Sequence, residues 1–166
     1  MLGLTTLGTI HTAISLVGLV AGFVALWRYK EISTRSTAGM VFFIGTLLSA
    51  LSGLGIFQHG GFGNPHVLSI VTLIVLIVAL VADRAGWFGR LSGYVSRIGY
   101  LLALFLHFIP GTVETLTRLP RGAPYLSHPE DPRAFPIIGT FFAIFVVGAV
   151  WQFLRTRHAS VRLSAP

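Results

Sequence analysis

The sequence predicts an all-α, polytopic membrane protein in which residues 1–166 form a single domain of five transmembrane helices. Two observations, the composition and the spacing of the apolar residues, lead to this prediction. Hydrophobic residues make up 54% of the chain, charged residues make up only 10%, and the mean hydropathy is +0.80. The apolar residues gather in five stretches, each close to the roughly 20 residues that one bilayer crossing needs. Cysteine is absent from the sequence, which excludes disulfides, thiolate metal sites and a cysteine nucleophile.

Five helices with short polar connections account for most of the chain. The first apolar stretch has no basic region before it and no small-residue cleavage site after it, so it predicts a retained helix and not a secretory signal. Pro65 suits the first position of the third helix. Four prolines between residues 119 and 133 indicate a long loop before the last helix. The predicted helices cover residues 4–27, 38–57, 65–82, 94–117 and 135–154.

The basic residues predict an orientation in the membrane. The connections after the first and third helices, together with the C-terminal tail, carry nine of the twelve Lys and Arg residues. By the positive-inside rule, the N-terminus is therefore outside and the C-terminus is cytoplasmic, in the inner membrane of a bacterium. The net charge of +7 does not indicate nucleic-acid binding, because apolar spans separate the basic flanks from one another.

Histidines are concentrated on the predicted outer side. His11 lies near the outer end of the first helix, His66 begins the third, and His107 and Glu114 lie in the outer half of the fourth. At 1.5 Å per residue, His11, His66 and Glu114 are roughly 25–27 Å above the basic residues at the inner ends of their helices. Ionisable groups are costly inside a membrane, so this coincidence of side and depth predicts a functional site. The other histidines are His59 and His128 in the outer connections and His158 inside.

The helical faces agree with this grouping. In the first helix, His11 shares a stripe with Ser15 and with a GxxxG pair, the pattern that lets two helices approach closely. In the fourth helix, His107 and Glu114 are seven residues apart, a spacing that returns to the same face. The second helix presents small residues at positions 45, 49 and 53, a face that offers no ligand but leaves room for a flat cofactor or a close neighbour.

This cluster has the chemistry of a metal or haem site. Imidazole and carboxylate groups suit Fe, Cu or Zn, and two imidazoles at matched depth suit the axial positions of haem b. We therefore predict His11, His66 and His107 as cofactor or metal ligands, with Glu114 as a further ligand or the catalytic proton acceptor. The predicted function is electron transfer or oxidoreduction near the outer face, with the lipid bilayer and a quinone or another membrane subunit as partners. Candidate supporting residues are Ser15, Ser69, Tyr100 and Thr112.

Other interpretations stay open. The His/Glu cluster could relay protons or bind a divalent ion in a transporter or channel, although the inner halves of the predicted helices are nearly all apolar. The chain could instead be a structural accessory subunit of a larger complex, or form a homo-oligomer. Each histidine could also serve only to hydrogen-bond neighbouring helices, and Glu114 could pair with Arg118 four residues later.

Parts of the sequence resemble small uncharacterised bacterial integral-membrane proteins. The features that carry the resemblance are the early histidine, the GM start of the second helix, the histidine opening the third, and the segment HFIPGTVETLTRLPRGAP followed by HPEDP. The resemblance implies a multi-pass membrane protein and no particular activity. The architecture is also loosely similar to small b-type cytochromes, but their motifs are missing, so no residue role is transferred.

Overall fold

A computed structural model describes residues 5–57 and 61–164, with side chains described up to residue 158. All regular structure in these ranges is helical, which confirms the predicted class. A single 3-10 turn at Gly89–Leu91 precedes the fourth helix. The helices are α1 (Thr6–Tyr29), α2 (Thr37–Gly53), α3 (Asn64–Ala85), α4 (Ser92–Leu106), α5 (Phe108–Leu116) and α6 (Ala134–Ser164).

The membrane character of the chain is supported by helix length and composition. α2 is apolar but has 17 residues, about 25 Å of helix, which is shorter than the roughly 30 Å hydrocarbon core of a bilayer. It ends at Gly53 and not at the predicted residue 57, in a glycine-rich region of low helix propensity. A fifth crossing by α2 therefore stays a prediction. The segments long and apolar enough to cross are Thr6–Tyr29, Asn64–Ala85, Gly89–Leu116 and Ala134–His158.

The predicted fourth helix, residues 94–117, is interrupted at His107. α4 ends at Leu106, α5 begins at Phe108, and the His107 backbone N–H donates to the carbonyl of Leu104 in a tighter turn (3.3 Å). Pro110 explains the interruption, because it has no N–H for the Leu106 carbonyl and its ring crowds that carbonyl. His107 therefore lies at a junction between two helices and not inside a continuous one.

The remaining helix boundaries are close to the prediction, except at the C-terminus. α1 and α3 differ from the predicted ranges by one to three residues at each end. α6 continues to Ser164, ten residues beyond the predicted end at Leu154. No Gly or Pro interrupts the sequence from Leu154 to Ser164, so nothing in it ends the helix.

Small residues bring the helices into close contact. The backbones of α1 and α2 meet at Gly18 and Gly45, where a Cβ added to Gly45 would lie 2.9 Å from the Gly18 Cα. This is the close approach that the GxxxG pair of α1 predicts. α3 packs against α4, where Gly99 faces Ala79, and α6 packs against α4 and α5. Phe42 and Tyr100 are fully buried between these helices.

The bundle has two ends, which we name by one residue each. The Asp83 end contains residues 30–36 between α1 and α2, the C-terminus of α3 and the start of α4. The His66 end contains the start of α1, the start of α3 and the loop from residue 117 to residue 133. Between them, apolar side chains cover the outside of the bundle, including Val147 (71% exposed). Such a surface suits contact with lipid.

Candidate functional site

His11 is held by α2 through a side-chain hydrogen bond. Its Nδ1 lies 3.0 Å from the Oγ of Ser52, and Ser52 donates its own hydroxyl proton to the carbonyl of Ser49 (2.9 Å). Ser52 can therefore only accept from the ring, so Nδ1 of His11 carries the proton. In the neutral imidazole this leaves the lone pair on Nε2, the atom that would bind a metal.

His107 has the same tautomer for a different reason. Its Nδ1 lies 2.9 Å from the carbonyl oxygen of Ala103, which can only accept a hydrogen bond. The lone pair is again on Nε2, which is buried and has no hydrogen-bond partner among the described residues. The ring packs against Phe42, with 6.1 Å between the centroids. A backbone carbonyl on Nδ1 and a free Nε2 are the arrangement usual for a metal-binding histidine.

His66 has the opposite tautomer. The backbone N–H of Gly63 donates to its Nδ1 (3.2 Å), so the lone pair is in use and the proton of the neutral ring is on Nε2. That Nε2 is buried without a partner among the described residues. The ring lies between Phe57 and Phe62, with centroids 4.5 and 5.2 Å away, and is only 3% exposed. Binding a metal through Nε2 would require His66 to change its tautomer and give up the bond that caps α3.

Glu114 lies at the edge of the bundle. Its side chain is 51% exposed, and its carboxylate forms an ion pair with Arg118 one turn later on the chain. This is the pairing that the sequence left open as the alternative to ligation. The carboxylate is still near enough to His11 for the two charges to interact.

The structure brings together some of the predicted site residues. His11 lies within electrostatic range of both His107 and Glu114, so these three follow one another from the interior towards the His66 end. Within the described ranges, no three His, Asp or Glu side chains converge on a point where they could hold a metal ion. The arrangement is therefore a histidine pair with a peripheral carboxylate and not a compact four-ligand shell.

The other histidines do not join this pair. His59 lies outside the described residues. His128 is exposed in the loop of the His66 end, and His158 is exposed on α6. Of the residues proposed to support the site, Ser15 bonds the His11 carbonyl (2.8 Å) and the hydroxyl of Ser49 (2.5 Å), but not the imidazole.

A second, larger polar cluster lies at the Asp83 end of the bundle, where the sequence predicted no site. The carboxylate of Asp83 accepts hydrogen bonds from the Ser33 hydroxyl and from both the backbone N–H and the hydroxyl of Thr34, at 2.8–3.1 Å. Arg35 pairs with the same carboxylate (3.5 Å), and Arg84 donates to the hydroxyl and carbonyl of Thr34. A cavity of about 440 Å³ lies against this cluster and reaches Ser96 and Arg97.

The segment before α2 is also fixed by α4 and α6. Arg97 of α4 forms an ion pair with Glu31 at 2.5 Å. Gln152 and Arg155 of α6 both donate to the carbonyl of Lys30, at 2.8 and 2.7 Å. These hydrogen bonds join residues that are 66 to 125 positions apart. Together with the bonds of Asp83 and Arg84, they fasten α3, α4 and α6 to one short segment.

A smaller polar cluster orders the loop at the His66 end. Asp131 accepts from the backbone N–H and hydroxyl of Ser127 (3.0 and 2.7 Å) and from the guanidinium of Arg133 (2.5 Å). Hydrogen bonds from the Arg133 guanidinium, and to a smaller extent from Ser127, hold the pKa of the Asp131 carboxyl well below its usual range. The long loop that the prolines predict before the last helix is therefore internally hydrogen-bonded at this point.

Sequence reasoning missed two residues of the interior, Ser52 and Thr46. Ser52, which holds the His11 ring, precedes Gly53 in α2 and is not one of the small residues at positions 45, 49 and 53. Thr46 is 1% exposed, and Tyr100, which was predicted as a supporting residue, is 0% exposed. Both hydroxyls lack a hydrogen-bond partner among the described residues. Their signal in the sequence is a hydroxyl inside an apolar helix, which is common and therefore weakly informative.

Comparison of the chain with protein-family models, with curated proteins and with solved structures gives no match. The resemblance to small bacterial membrane proteins therefore stays a prediction.

Proposed function

We propose that this protein is a bacterial inner-membrane protein that binds haem b or a single transition-metal ion through His11 and His107, for electron transfer or oxidoreduction. The observation that supports the proposal is that both histidines donate from Nδ1 and keep the Nε2 lone pair free. The two rings lie within electrostatic range of each other, although His11 is on α1 and His107, at the junction of α4 and α5, is 96 residues later in the chain. Two neutral imidazoles are the donor set of bis-histidine haem and part of many non-haem sites.

The roles of the other two predicted ligands follow from their contacts. Glu114 is partly solvated and paired with Arg118, so it would accept a proton at the edge of the site and not complete the ligand shell. His66 would close the His66 end of the bundle between two aromatic rings. The further ligands of an ion would be water, or the macrocycle in the case of haem.

The orientation supports chemistry in the outer half of the membrane. The Asp83 end carries Arg35, Arg84, Arg90 and Arg97, together with Arg28 in the last turn of α1 and Arg155 of α6, so the positive-inside rule predicts that it is cytoplasmic. His11 then lies near the outer surface and His107 deeper in the bilayer. An electron carrier that reaches the site from the membrane or from outside, such as a quinone, would meet the His66 end first.

The experiment is an absorption spectrum of detergent-purified protein, oxidised and then dithionite-reduced, combined with analysis of bound metals. Haem b gives a Soret band with sharp α and β bands on reduction, whereas a non-haem ion appears only in the metal analysis. His11→Ala and His107→Ala should each lose most of the bound group, whereas His66→Ala should lose less. His158→Ala, on the exposed part of α6, is the control and should keep it. Wild-type protein without haem or metal, or equal retention in all four variants, would contradict the proposal.

A further inference from the structure

The cavity of about 440 Å³ at the Asp83 end takes no part in the proposed metal or haem site. It lies between the segment before α2, the last turn of α3 and the first turns of α4, and we call it the Asp83 cavity. Its volume is within the roughly 300–1,000 Å³ that is typical of small-molecule sites. The positive-inside rule predicts that this end is cytoplasmic, where basic pockets between membrane helices bind anionic headgroups. The size and the position of the cavity both suit a small anionic ligand.

Positive charges outnumber negative charges around the Asp83 cavity. Among the described residues, the charged side chains that line it are Arg35, Arg84, Arg97, Glu31 and Asp83. Each of the two carboxylates already pairs with one arginine, Asp83 with Arg35 and Glu31 with Arg97. One guanidinium is therefore left with its charge uncompensated, and the lining as a whole favours an anion.

Arg84 is the arginine with the uncompensated charge. Its Nε and one of its terminal nitrogens donate to the hydroxyl and the carbonyl of Thr34, both at 2.8 Å. These acceptors are neutral, so they fix the position of the guanidinium without cancelling its charge. The other terminal nitrogen donates to no described residue. A guanidinium held along one edge keeps N–H donors free on another, and this is the geometry in which arginine binds a phosphate group.

The beginning of α4 adds neutral donors to the same cavity. Ser92 lines the cavity, and its Oγ accepts a hydrogen bond from the backbone N–H of Phe88 (3.1 Å), so its own hydroxyl proton is available to a ligand. The first turn of α4 contains no acidic residue and no side chain caps it, so the helix dipole adds positive potential there. A Cβ added to Gly93 would lie 3.1 Å from a terminal nitrogen of Arg97. The glycine therefore lets this guanidinium lie against the first turn of the helix.

We propose that the Asp83 cavity binds a phosphate group with a single negative charge, the chemistry shared by an anionic phospholipid headgroup and soluble phosphate. One negative charge balances the charge of Arg84. The several oxygens of a phosphate accept hydrogen bonds from the guanidinium of Arg84 and from the hydroxyl of Ser92 at the same time. The carboxylates of Glu31 and Asp83 stay paired with their own arginines, and they repel a ligand of higher charge.

The test measures thermal unfolding of the purified full chain in a neutral detergent and a buffer without phosphate. One probe is inorganic phosphate, titrated at constant ionic strength. The other is micelles that contain phosphatidylglycerol, compared with micelles that contain the zwitterionic phosphatidylcholine. A ligand that binds only the folded protein raises the melting temperature as its concentration increases. A rise with inorganic phosphate identifies soluble phosphate as a ligand, whereas a rise with phosphatidylglycerol alone identifies the lipid headgroup.

Two pairs of variants show whether the ligand is in the Asp83 cavity. Ser92→Asp adds a negative charge to the cavity at a helix position that favours acidic residues, so the protein should fold and lose the rise in melting temperature. Ser92→Asn has the same size without the charge and should keep most of the rise. Arg35→Gln should weaken the apparent affinity about tenfold. Arg90→Gln removes the same charge from an exposed arginine that does not line the cavity, and its affinity should be close to that of wild type.

Three results would overturn the inference. The first is a wild-type melting temperature that does not respond to inorganic phosphate and responds equally to the two lipids. The second is an equal rise in Ser92→Asp and Ser92→Asn. The third is an equal loss of affinity in Arg35→Gln and Arg90→Gln, because the effect would then come from the net charge of this end and not from the cavity. None of these measurements needs a bound metal or haem, so this inference and the proposed function can fail separately.

Discussion

The Asp83 end and the interior around His107 both contain polar groups within an apolar bundle, but they use those groups differently. At the Asp83 end, the carboxylate accepts several hydrogen bonds, and Arg84 and Arg97 each bond a residue from another part of the chain. Around His107, the buried atoms of Thr46, Tyr100 and His107 keep unused bonding capacity. Satisfied polar groups hold a fold together, whereas unsatisfied ones are costly unless they bind water, a metal or a proton.

The comparison predicts the largest loss of stability at the Asp83 end. Asp83→Asn removes the negative charge that binds Arg35. It also places the NH₂ group of the new amide against the hydrogen-bond donors of Ser33 and Thr34. Because a buried carboxylate that accepts several hydrogen bonds is lost, we expect about 3 kcal/mol of destabilisation. Thermal unfolding in detergent measures the change. Glu130→Gln, on an exposed loop residue with one long contact to Asn64 (3.4 Å), is the control and should have almost no effect. Equal stability of the two variants would mean that the Asp83 end is not the fastening point of the bundle.

A second prediction concerns the contact that positions His11 and Ser52. Gly45→Ala would place a Cβ 2.9 Å from the Gly18 Cα and force α1 away from α2. We expect a loss of about 1–3 kcal/mol from this overpacking, together with weaker binding of the metal or haem. Gly139→Ala is the matched control, since a Cβ there meets no atom within 4 Å and alanine favours the helix. A Gly45→Ala protein that unfolds at the wild-type temperature would show that the helices do not need this contact.

The fold class could be predicted from the sequence, because five apolar stretches leave few alternatives to helices. The break at His107 could also have been predicted, since Pro110 is visible in the sequence, but the expected stripe from His107 to Glu114 assumed a continuous helix. The Asp83 cluster could not be predicted from the sequence, because Thr34 and Asp83 are 49 residues apart and meet only when α1, α2 and α3 are packed. The tautomers of His11 and His66 depend on Ser52 and Gly63, which sequence spacing alone does not identify as their partners.

The smallest predicted effect concerns the loop of the His66 end. Arg133 and Ser127 lower the pKa of Asp131, so the charged carboxylate stabilises the folded loop. This contribution is complete above the ordinary Asp pKa of about 4 and is lost as the pH falls below it towards the lower pKa of the folded state. The difference in melting temperature between wild type and Asp131→Asn should therefore be constant from pH 7 to about pH 5 and shrink below about pH 4. A difference that grows with acidity would contradict the assignment of the ion pair.

The most direct test of the contrast between the two regions is to measure the melting temperature and the bound haem or metal per chain on the same preparations of His107→Gln and Asp83→Asn. His107→Gln should keep a stability close to that of wild type and lose the bound group, because the amide can still donate to the Ala103 carbonyl. Asp83→Asn should melt earlier and, below its melting temperature, keep the bound group. The opposite pattern, with the bound group retained in His107→Gln or stability unchanged in Asp83→Asn, would contradict this account.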